Sequence, residues 1–406
     1  MDFEFRYTPE QEAFRKEVRA WLDMHVPMDF EISDNPHDVL PGSAKYEFIV
    51  SARRKLGQKG WLAPTWPREH GGGGLGLDEA IVIEEEVARR PWSRFGIGDF
   101  FTGTLNIFAP MLYVLGTEEQ KKRFLPPMLR GEVIAWQGYS EPDCGSDIAS
   151  VKTTAIRDGD DYIVNGSKLW LGSQFNNADY IYVVAVTDPA GHRHRNFGLF
   201  LVPTDLPGIS LVRTPMMRNC HSGGWQAFFD NVRVSVEYLL GGHENATNAW
   251  QGMRETAIHV RNRPVGAPAR DHNQEFVLAY CRETKRNGRP LSQDPAVREA
   301  LVEVEIQLEI SRLFALRQNW MVITGKRLVG YEAAQLALHG KATNAVQADA
   351  YNDILGPAVF MKDPELELFQ GNIEYQQFLP IAHASAGMTQ ELNKVLMART
   401  ACRAGD

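Results

Sequence analysis

Residues 139–147 read YSEPDCGSD, and further along the chain residues 165–170 read NGSKLW. Small and hydroxyl-bearing residues fill the first stretch, which follows a predicted strand. Backbone N–H groups and short side chains in such a loop can face a planar ligand or a phosphate. The second stretch is predicted to close a hairpin and to bring one large aromatic residue, Trp170, beside that loop. The two stretches together indicate a site for a planar ligand.

On the N-terminal side of this site, apolar residues recur at helical spacing. The sequence Thr8-Pro9-Glu10-Gln11 is a capping box with proline at the first helical position, and Pro27 is expected to stop the helix that follows. Residues 44–57 and 77–90 show the same period, and Thr117 begins a second capping box. The first third of the chain is therefore predicted to be helical.

From about residue 132 the hydrophobic period changes to two, which is typical of strands. No helical pattern interrupts this region, so an antiparallel barrel or sandwich is favoured over a parallel sheet. The predicted strands are a hairpin over residues 155–164 around Asp158-Gly159, then residues 180–186, 197–202, 209–213 and 228–234.

Helical patterns return from about residue 247. The helix that begins at Asp294-Pro295 is apolar on more than one face, which predicts burial in a bundle or at a subunit contact. We therefore predict an α+β multidomain protein: an N-terminal helical domain (residues 1–131), a middle antiparallel β-barrel (132–245) and a C-terminal helical bundle (246–406).

Composition narrows the functional classes. A net charge of −8 argues against a nucleic-acid partner, because phosphate backbones bind basic faces. No apolar run approaches the ~18 residues of a membrane span, no signal peptide is evident, and four scattered cysteines form no C-x-x-C pair, so we expect a cytoplasmic protein without disulfides. The His192–Arg195 stretch, with His221 downstream, is interpreted as a polar loop, because no acidic or thiol ligand joins it at metal-binding spacing.

The order of helices and strands and the two quoted stretches resemble the acyl-CoA dehydrogenase family, in which the stretches read Ser/Thr-Glu-Pro-x-Ala-Gly-Ser-Asp and Gly-x-Lys-x-Trp-Ile/Thr-Thr/Ser. Residues 229–234, 239–241 and 353–357 also match the family pattern. The resemblance implies noncovalent FAD, an acyl-CoA thioester oxidised at its α,β bond, electron-transfer flavoprotein as acceptor, and a homo- or hetero-oligomer.

The resemblance also implies which residues contact the flavin. Trp170 is expected to cover one side of the ring, and Gly172 stands where the family has a hydroxyl residue, with Ser173 next to it. Met388 replaces a frequent glycine, and an arginine that the family takes from a neighbouring subunit is sought near Cys281-Arg282-Glu283. The further expected contacts are Gln137, Tyr139, Ser140, Gly145 and Ser146, together with Gly356, Thr389 and Glu391.

No catalytic base stands at either position that the family uses. Gly387 occupies the first, and Val260 or Asn262, depending on the register, occupies the second. A positioned carboxylate normally removes the weakly acidic α-proton. The nearest titratable residues in the sequence are Glu255, His259 and His383. On the substrate side, Arg261 or Arg263 is expected near the CoA nucleotide, and Ser146 near the acyl channel.

Three explanations of the missing base are open. One of the three candidates replaces it, or the chain is a catalytically degenerate subunit of a heteromeric acyl-CoA dehydrogenase, as in bacterial two-gene enzymes. In the third, the same fold carries a flavin reaction that needs no base, or flavin oxygen chemistry.

Overall fold

The computed structural model describes residues 7–26, 42–90, 103–172, 178–214, 224–253, 272–324, 331–361, 372–383 and 390–401. Within these ranges a group of helices is followed by one large β-sheet and a second group of helices. The order of helices and strands predicted from the hydrophobic period is confirmed. No helix in the described ranges has both the length and the apolar character needed to cross a membrane.

The N-terminal helices begin where their capping residues predict. Thr8 Oγ1 accepts from Gln11 N at 3.2 Å while Thr8 N donates to Gln11 Oε1 at 2.8 Å, and Thr117 and Gln120 repeat this reciprocal pair. The helices are α1 (Pro9–His25), α2 (Ala44–Lys59), α3 (Leu77–Ala88), α4 (Ala109–Leu115) and α5 (Glu118–Leu129).

The middle region forms a single mixed sheet in the order β1-β4-β2-β3-β7-β6, with β5 paired to β4. Apolar side chains from several of these strands meet in one buried cluster with α1–α3, so the sheet curls around its core as half of a barrel. The strands are β1 (Ala135–Gly138), β2 (Thr154–Asp158), β3 (Asp161–Leu171), β4 (Tyr180–Val186), β5 (Phe197–Pro203), β6 (Ile209–Arg213) and β7 (Trp225–Ser235).

Two details differ from the sequence prediction. The sheet is not wholly antiparallel, because β1 and the start of β2 run parallel to β4. The chain passes through β2 and β3 before β4, a connection long enough to return in the same direction. In addition, the predicted hairpin over residues 155–164 is longer: its second strand, β3, continues to Leu171 through irregularities at Gly166 and after Lys168, so residues 165–170 lie inside that strand.

The C-terminal helices share an apolar cluster of their own around Tyr351, Val304 and Val277. The predicted start at Asp294 is confirmed, since its Oδ1 accepts from Ala296 N at 2.9 Å. The elements are α6 (His272–Glu283), a hairpin of β8 (Lys285–Arg286) and β9 (Arg289–Pro290), α7 (Pro295–Ile323), α8 (Tyr331–Leu355), α9 (Asn372–His383) and α10 (Gln390–Ala401).

Candidate active site

Strand β1, which leads into the candidate site, is anchored at its first residue by Thr104. Thr104 is fully buried, and its Oγ1 accepts from Ala135 N at 2.9 Å. Thr104 lies in a π-helical turn, Thr104–Phe108, that leads into α4. Pro110 has no N–H for an ordinary helical bond, which favours this wider turn. Tyr182 Oη donates to Phe108 O at 3.1 Å, so a carbonyl of the turn is satisfied from the sheet.

The loop that follows β1 is held by a buried carboxylate. Glu141 accepts hydrogen bonds from Lys152 N at 2.6 Å, from Thr153 N at 3.0 Å and from Lys168 Nζ at 2.6 Å. Its backbone also exchanges two hydrogen bonds with Cys144, which closes a tight turn. Burial acts to raise the pKa of the Glu141 carboxyl, but Lys168 and the hydrogen bonds outweigh burial and hold that pKa below its usual value.

Lys168 links this loop to β3. Its side chain is fully buried, and its Nζ donates to Tyr139 O at 3.3 Å as well as to Glu141. Because a buried ammonium without acceptors is strongly unfavourable, these two bonds fix the loop against the strand. Tyr139 itself is half-buried, and its hydroxyl, whose pKa is raised by burial, donates to Met111 Sδ at 2.9 Å.

A bulge at the end of β3 presents Trp170 beside the loop. Leu169 N donates to Ser140 O at 2.8 Å, which aligns the two quoted stretches side by side. The pairing with β7 shifts between Lys168 and Leu171, and Trp170 has φ 59°, a left-handed conformation that bulky residues rarely adopt. Trp170 is 55% exposed. This conformation turns a large aromatic ring outward next to Ser140, where a flat ligand can pack against it.

The side chain of Trp136 fills the place next to Gly172. A Cβ added to Gly172, whose φ is 59°, would stand 2.2 Å from the Trp136 ring, far inside contact distance. Trp136 is buried and stacks on Trp225 with ring centroids 5.7 Å apart. No residue with a side chain fits at position 172 while Trp136 keeps this place. The space beside position 172, where the family pattern has a hydroxyl side chain, is therefore filled in this chain by the Trp136 indole.

The other predicted residues near the loop are open to solvent. Gln137, Gly145 and Ser146 are exposed, and a Cβ added to Gly145 would meet nothing within 4 Å. Two ion pairs flank them: Lys152 Nζ lies 2.7 Å from Asp143 Oδ2, and the Arg193 guanidinium contacts the Asp147 carboxylate. The structure thus brings the predicted residues of both stretches together where the loop after β1 meets the end of β3.

The predicted C-terminal contacts are only partly described. Gly356 has φ 65° and starts a short 3-10 turn with open space at its Cβ position. Arg286, in the β8–β9 hairpin, donates to Ile354 O at 3.4 Å, and Cys281 of the predicted 281–283 region packs in the same apolar cluster as Ile354. Glu391 is exposed in the first turn of α10, and it acts to raise the pKa of Lys341, which burial lowers.

Most candidates for the base and for the CoA contact lie outside the described residues. They are Glu255, His259, Arg261, Arg263, Gly387 and Thr389, together with Ser173 and Met388. His383 is the last residue of α9. Sequence reasoning missed the buried Glu141–Lys168 pair and the contact of Trp136 with position 172. A lysine at an inward position of a strand was the available signal for the first, and no local pattern announced the second.

Comparison with known proteins decides the family. The N-terminal, middle and C-terminal domain descriptions of acyl-CoA dehydrogenases match residues 8–132, 137–231 and 265–379, in that order. The chain belongs to the acyl-CoA dehydrogenase family. Enzymes of this family are oxidoreductases that use FAD, which confirms the cofactor class implied by residues 139–147 and 165–170.

Individual relatives of this acyl-CoA dehydrogenase span its whole length. Acyl-CoA dehydrogenase FadE26 of Mycobacterium tuberculosis is 30% identical over 97% of both chains. A chain of the ChsE4-ChsE5 complex from Mycobacterium tuberculosis aligns over 99% of both chains with 26% identity and a TM-score of 0.81. The Tcur3481-Tcur3483 steroid ACAD aligns over 99% of both chains with 29% identity and a TM-score of 0.76.

The described residues of this acyl-CoA dehydrogenase fit the ring of FAD with one departure. A flavin needs flat apolar walls and a few polar groups at its edge. The outward indole of Trp170, the half-buried Tyr139 and the hydroxyl of Ser140 supply those types of group along one edge. Position 172 supplies no hydroxyl, because Trp136 excludes a side chain there.

Proposed function

We propose that this acyl-CoA dehydrogenase desaturates the α,β bond of a CoA thioester with a bulky, ring-bearing acyl group. It acts in an assembly with a second, related chain and passes electrons to an electron-transfer flavoprotein. The observation that carries the proposal is the hydrogen bond from Leu169 N to Ser140 O, which sets the exposed Trp170 beside the loop of Ser140 and Ser146.

In this proposal Trp170, Tyr139 and Ser140 hold the flavin ring, and the Glu141–Lys168 pair fixes the loop that carries two of them. Ser146 lies at the mouth, where the thioester enters. Bound FAD would supply the acceptor for the hydride that leaves the β-carbon. Without a hydroxyl at Gly172, the reduced ring lacks one hydrogen bond, so its reduction potential is expected to differ from that of relatives with a threonine there.

Similarity to two solved structures supports the proposed ring-bearing acyl group and the proposed second chain. One similar structure is described as a steroid ACAD, and that structure and the ChsE4-ChsE5 structure are both complexes of two named chains. The test is to purify the chain alone and together with the product of the neighbouring gene. Absorbance near ~450 nm reports flavin, and turnover of a steroid-ring CoA thioester is compared with that of octanoyl-CoA.

We expect the ring-bearing thioester to be preferred by at least about tenfold in kcat/KM, the scale on which an apolar pocket discriminates by size. Flavin content and rate should be highest in the mixed complex. A colourless preparation, alone and with the partner, that takes up no added FAD would contradict the enzyme assignment. Equal rates on both thioesters would contradict only the proposed acyl group.

The position of Gly387 gives a separate prediction about the base. Loss of a general base typically removes about two to four orders of magnitude in rate, so the chain alone should oxidise simple fatty acyl-CoAs slowly, and Gly387→Glu should raise that rate. Glu255→Gln, His259→Gln and His383→Gln are compared in turn. Fast turnover of octanoyl-CoA by the wild-type chain, unaffected by any of the three, would show that the catalytic positions are misassigned.

A further inference from the structure

The connection between β4 and β5 carries a basic turn, of which only the Arg193–Asp147 ion pair entered the site described above. Residues 192–195 are His, Arg, His and Arg, and Arg195 N donates to His192 O at 2.6 Å, which closes the turn. Arg193 and Arg195 are exposed. In a chain with a net charge of −8, two exposed arginines within three residues are a local concentration of positive charge.

The basic turn lies at the mouth of the active site. The Arg193 guanidinium contacts both carboxylate oxygens of Asp147, the residue after Ser146. This contact joins residues 46 positions apart in the chain and brings the β4–β5 connection against the loop that follows β1. Because the pair is exposed, it contributes little to stability, and an anionic ligand can compete for the arginine.

An aromatic surface adjoins the turn. The imidazole of His194 packs against the indole of Trp250 with ring centroids 4.8 Å apart, and Trp250 also contacts Phe197 edge-on at 6.4 Å. Both His194 and Trp250 are half-buried, so each keeps an exposed part. Among the described residues no group of three metal-ligating side chains comes together, so these histidines form part of no described metal cluster.

We propose that the basic turn binds the nucleotide end of the CoA thioester. Arg193 and Arg195 contact its phosphate groups, and the adenine ring packs beside His194 and Trp250. Exposed guanidinium groups bind phosphate oxygens in pairs, and a purine packs on flat side chains, so charge and shape agree with an adenosine bisphosphate. The inference rests on the proposed function, because it extends the site at Ser146 toward the far end of the same substrate.

The test compares two thioesters of the same acyl group, one of CoA and one of pantetheine, which lacks the nucleotide. We expect Arg193→Gln and Arg195→Gln each to raise the KM for acyl-CoA relative to the KM for acyl-pantetheine by about three- to tenfold. Arg157→Gln is the matched control, because Arg157 is also exposed but lies in β2, where its Nε donates to Gly159 O at 2.9 Å. The control should leave the KM ratio unchanged.

Asp147→Asn gives the opposite expectation. It removes the carboxylate that competes for Arg193, so binding of acyl-CoA should tighten while binding of acyl-pantetheine stays the same. Raising the salt concentration should weaken acyl-CoA binding in the wild type more than in Arg193→Gln, because exposed charges are screened. Direct titration with adenosine 3′,5′-bisphosphate measures the same site without turnover.

Unchanged KM ratios in both arginine variants, or equal affinity of wild type and Arg193→Gln for the bisphosphate, would overturn the inference. The outcome is separable from the proposed function. A chain that oxidises neither thioester fails as a dehydrogenase, yet titration with the bisphosphate still decides whether the basic turn binds a nucleotide.

Discussion

Lys168 shows how one buried charge holds the site together. The side chain has no exposed surface, and its ammonium donates to Glu141 at 2.6 Å and to the carbonyl of Tyr139. Removing one member of a buried ion pair leaves the other uncompensated, which costs far more than the pair itself contributes. The loop with Tyr139 and Ser140 thus depends on a residue whose side chain lies wholly inside the protein.

Lys168→Met is expected to destabilise the protein by about 3–5 kcal/mol, because Glu141 is left buried without its cation. Lys152→Met is the matched control, since that lysine pairs with Asp143 on the surface, and it should change stability by at most about 1 kcal/mol. Thermal unfolding monitored by circular dichroism measures both. Equal shifts in the two variants would contradict the structural role of Lys168.

The same pair predicts a dependence on pH. The pKa of Glu141 is lower in the folded protein than its usual value, so its contribution to stability is present above about pH 4.3, the ordinary glutamate pKa, and is lost as pH falls through the folded pKa. The difference in melting temperature between wild type and Glu141→Gln should therefore be full at pH 7 and shrink in acid. A difference that stays constant down to pH 3 would contradict the assignment.

Gly172 and Trp136 are expected to behave as a coupled pair. Gly172→Ala adds a Cβ at φ 59° and 2.2 Å from the Trp136 ring, whereas Gly159→Ala adds one at φ 67° with open space around it. Gly159→Ala should cost about 1–2 kcal/mol from the backbone alone, and Gly172→Ala about 1–3 kcal/mol more from overpacking. In a Trp136→Ala background the excess should disappear. Equal costs for the two alanine variants in the wild-type background would refute the clash.

At the scale of the element, the end of β3 holds a strained backbone conformation, and that conformation sets the position of the Trp170 ring. The strand could have continued regularly to Leu171, but the shift in pairing with β7 places Trp170 in the left-handed region. A non-glycine residue held there costs about 1–3 kcal/mol and persists only when neighbours enforce it. The anchors are Leu169, bonded to Ser140, and Lys168, bonded to Glu141.

We expect Trp170→Asn to bind FAD more weakly than the wild type does. We also expect the flavin-free form of Trp170→Asn to melt at a higher temperature than the flavin-free form of Trp170→Ala. Both variants remove the ring of Trp170, a residue that is 55% exposed, but asparagine tolerates the left-handed conformation better than alanine. Flavin content by absorbance and melting of the flavin-free protein measure the two effects. An asparagine variant less stable than the alanine variant would show that the bulge carries no backbone strain.

At the scale of the whole molecule, the long helix α7 leaves an apolar stripe uncovered. Val302, Ile306 and Leu313 are 58%, 46% and 42% exposed, and their spacing puts them on one face of the helix. This face belongs to the helix for which the sequence predicted burial in a bundle or at a subunit contact. Exposed apolar residues aligned on one face commonly mark an interface with another chain.

Ile306→Lys combined with Leu313→Lys should therefore lower the oligomeric state measured by size-exclusion chromatography with light scattering. Ile156→Lys serves as the control, because Ile156 is similarly exposed at 45% but lies on β2 in the sheet. We expect the control to keep the wild-type mass. Retention of the full assembly by the double variant would exclude this stripe as the interface.

The sequence predicted elements better than contacts. Capping residues and hydrophobic period placed α1, α5, α7 and strands β4 and β6, because each signal acts within a few neighbouring residues. The parallel pairing of β1 with β4 escaped prediction because pairing depends on partners far apart in the chain. The stretches around Ser140 and Trp170 marked the site, but the packing of Trp136 against Gly172 is visible only in three dimensions.

The contact between Trp136 and Gly172 also limits the order in which these residues can change over generations. An indole can enter at position 136 only after position 172 has lost its side chain, since the two cannot share the space. Once both changes are in place, a threonine can return at 172 only after position 136 has lost its indole. The two positions are therefore expected to change in a fixed order, and an indole at 136 should not occur in one chain together with a side chain at 172.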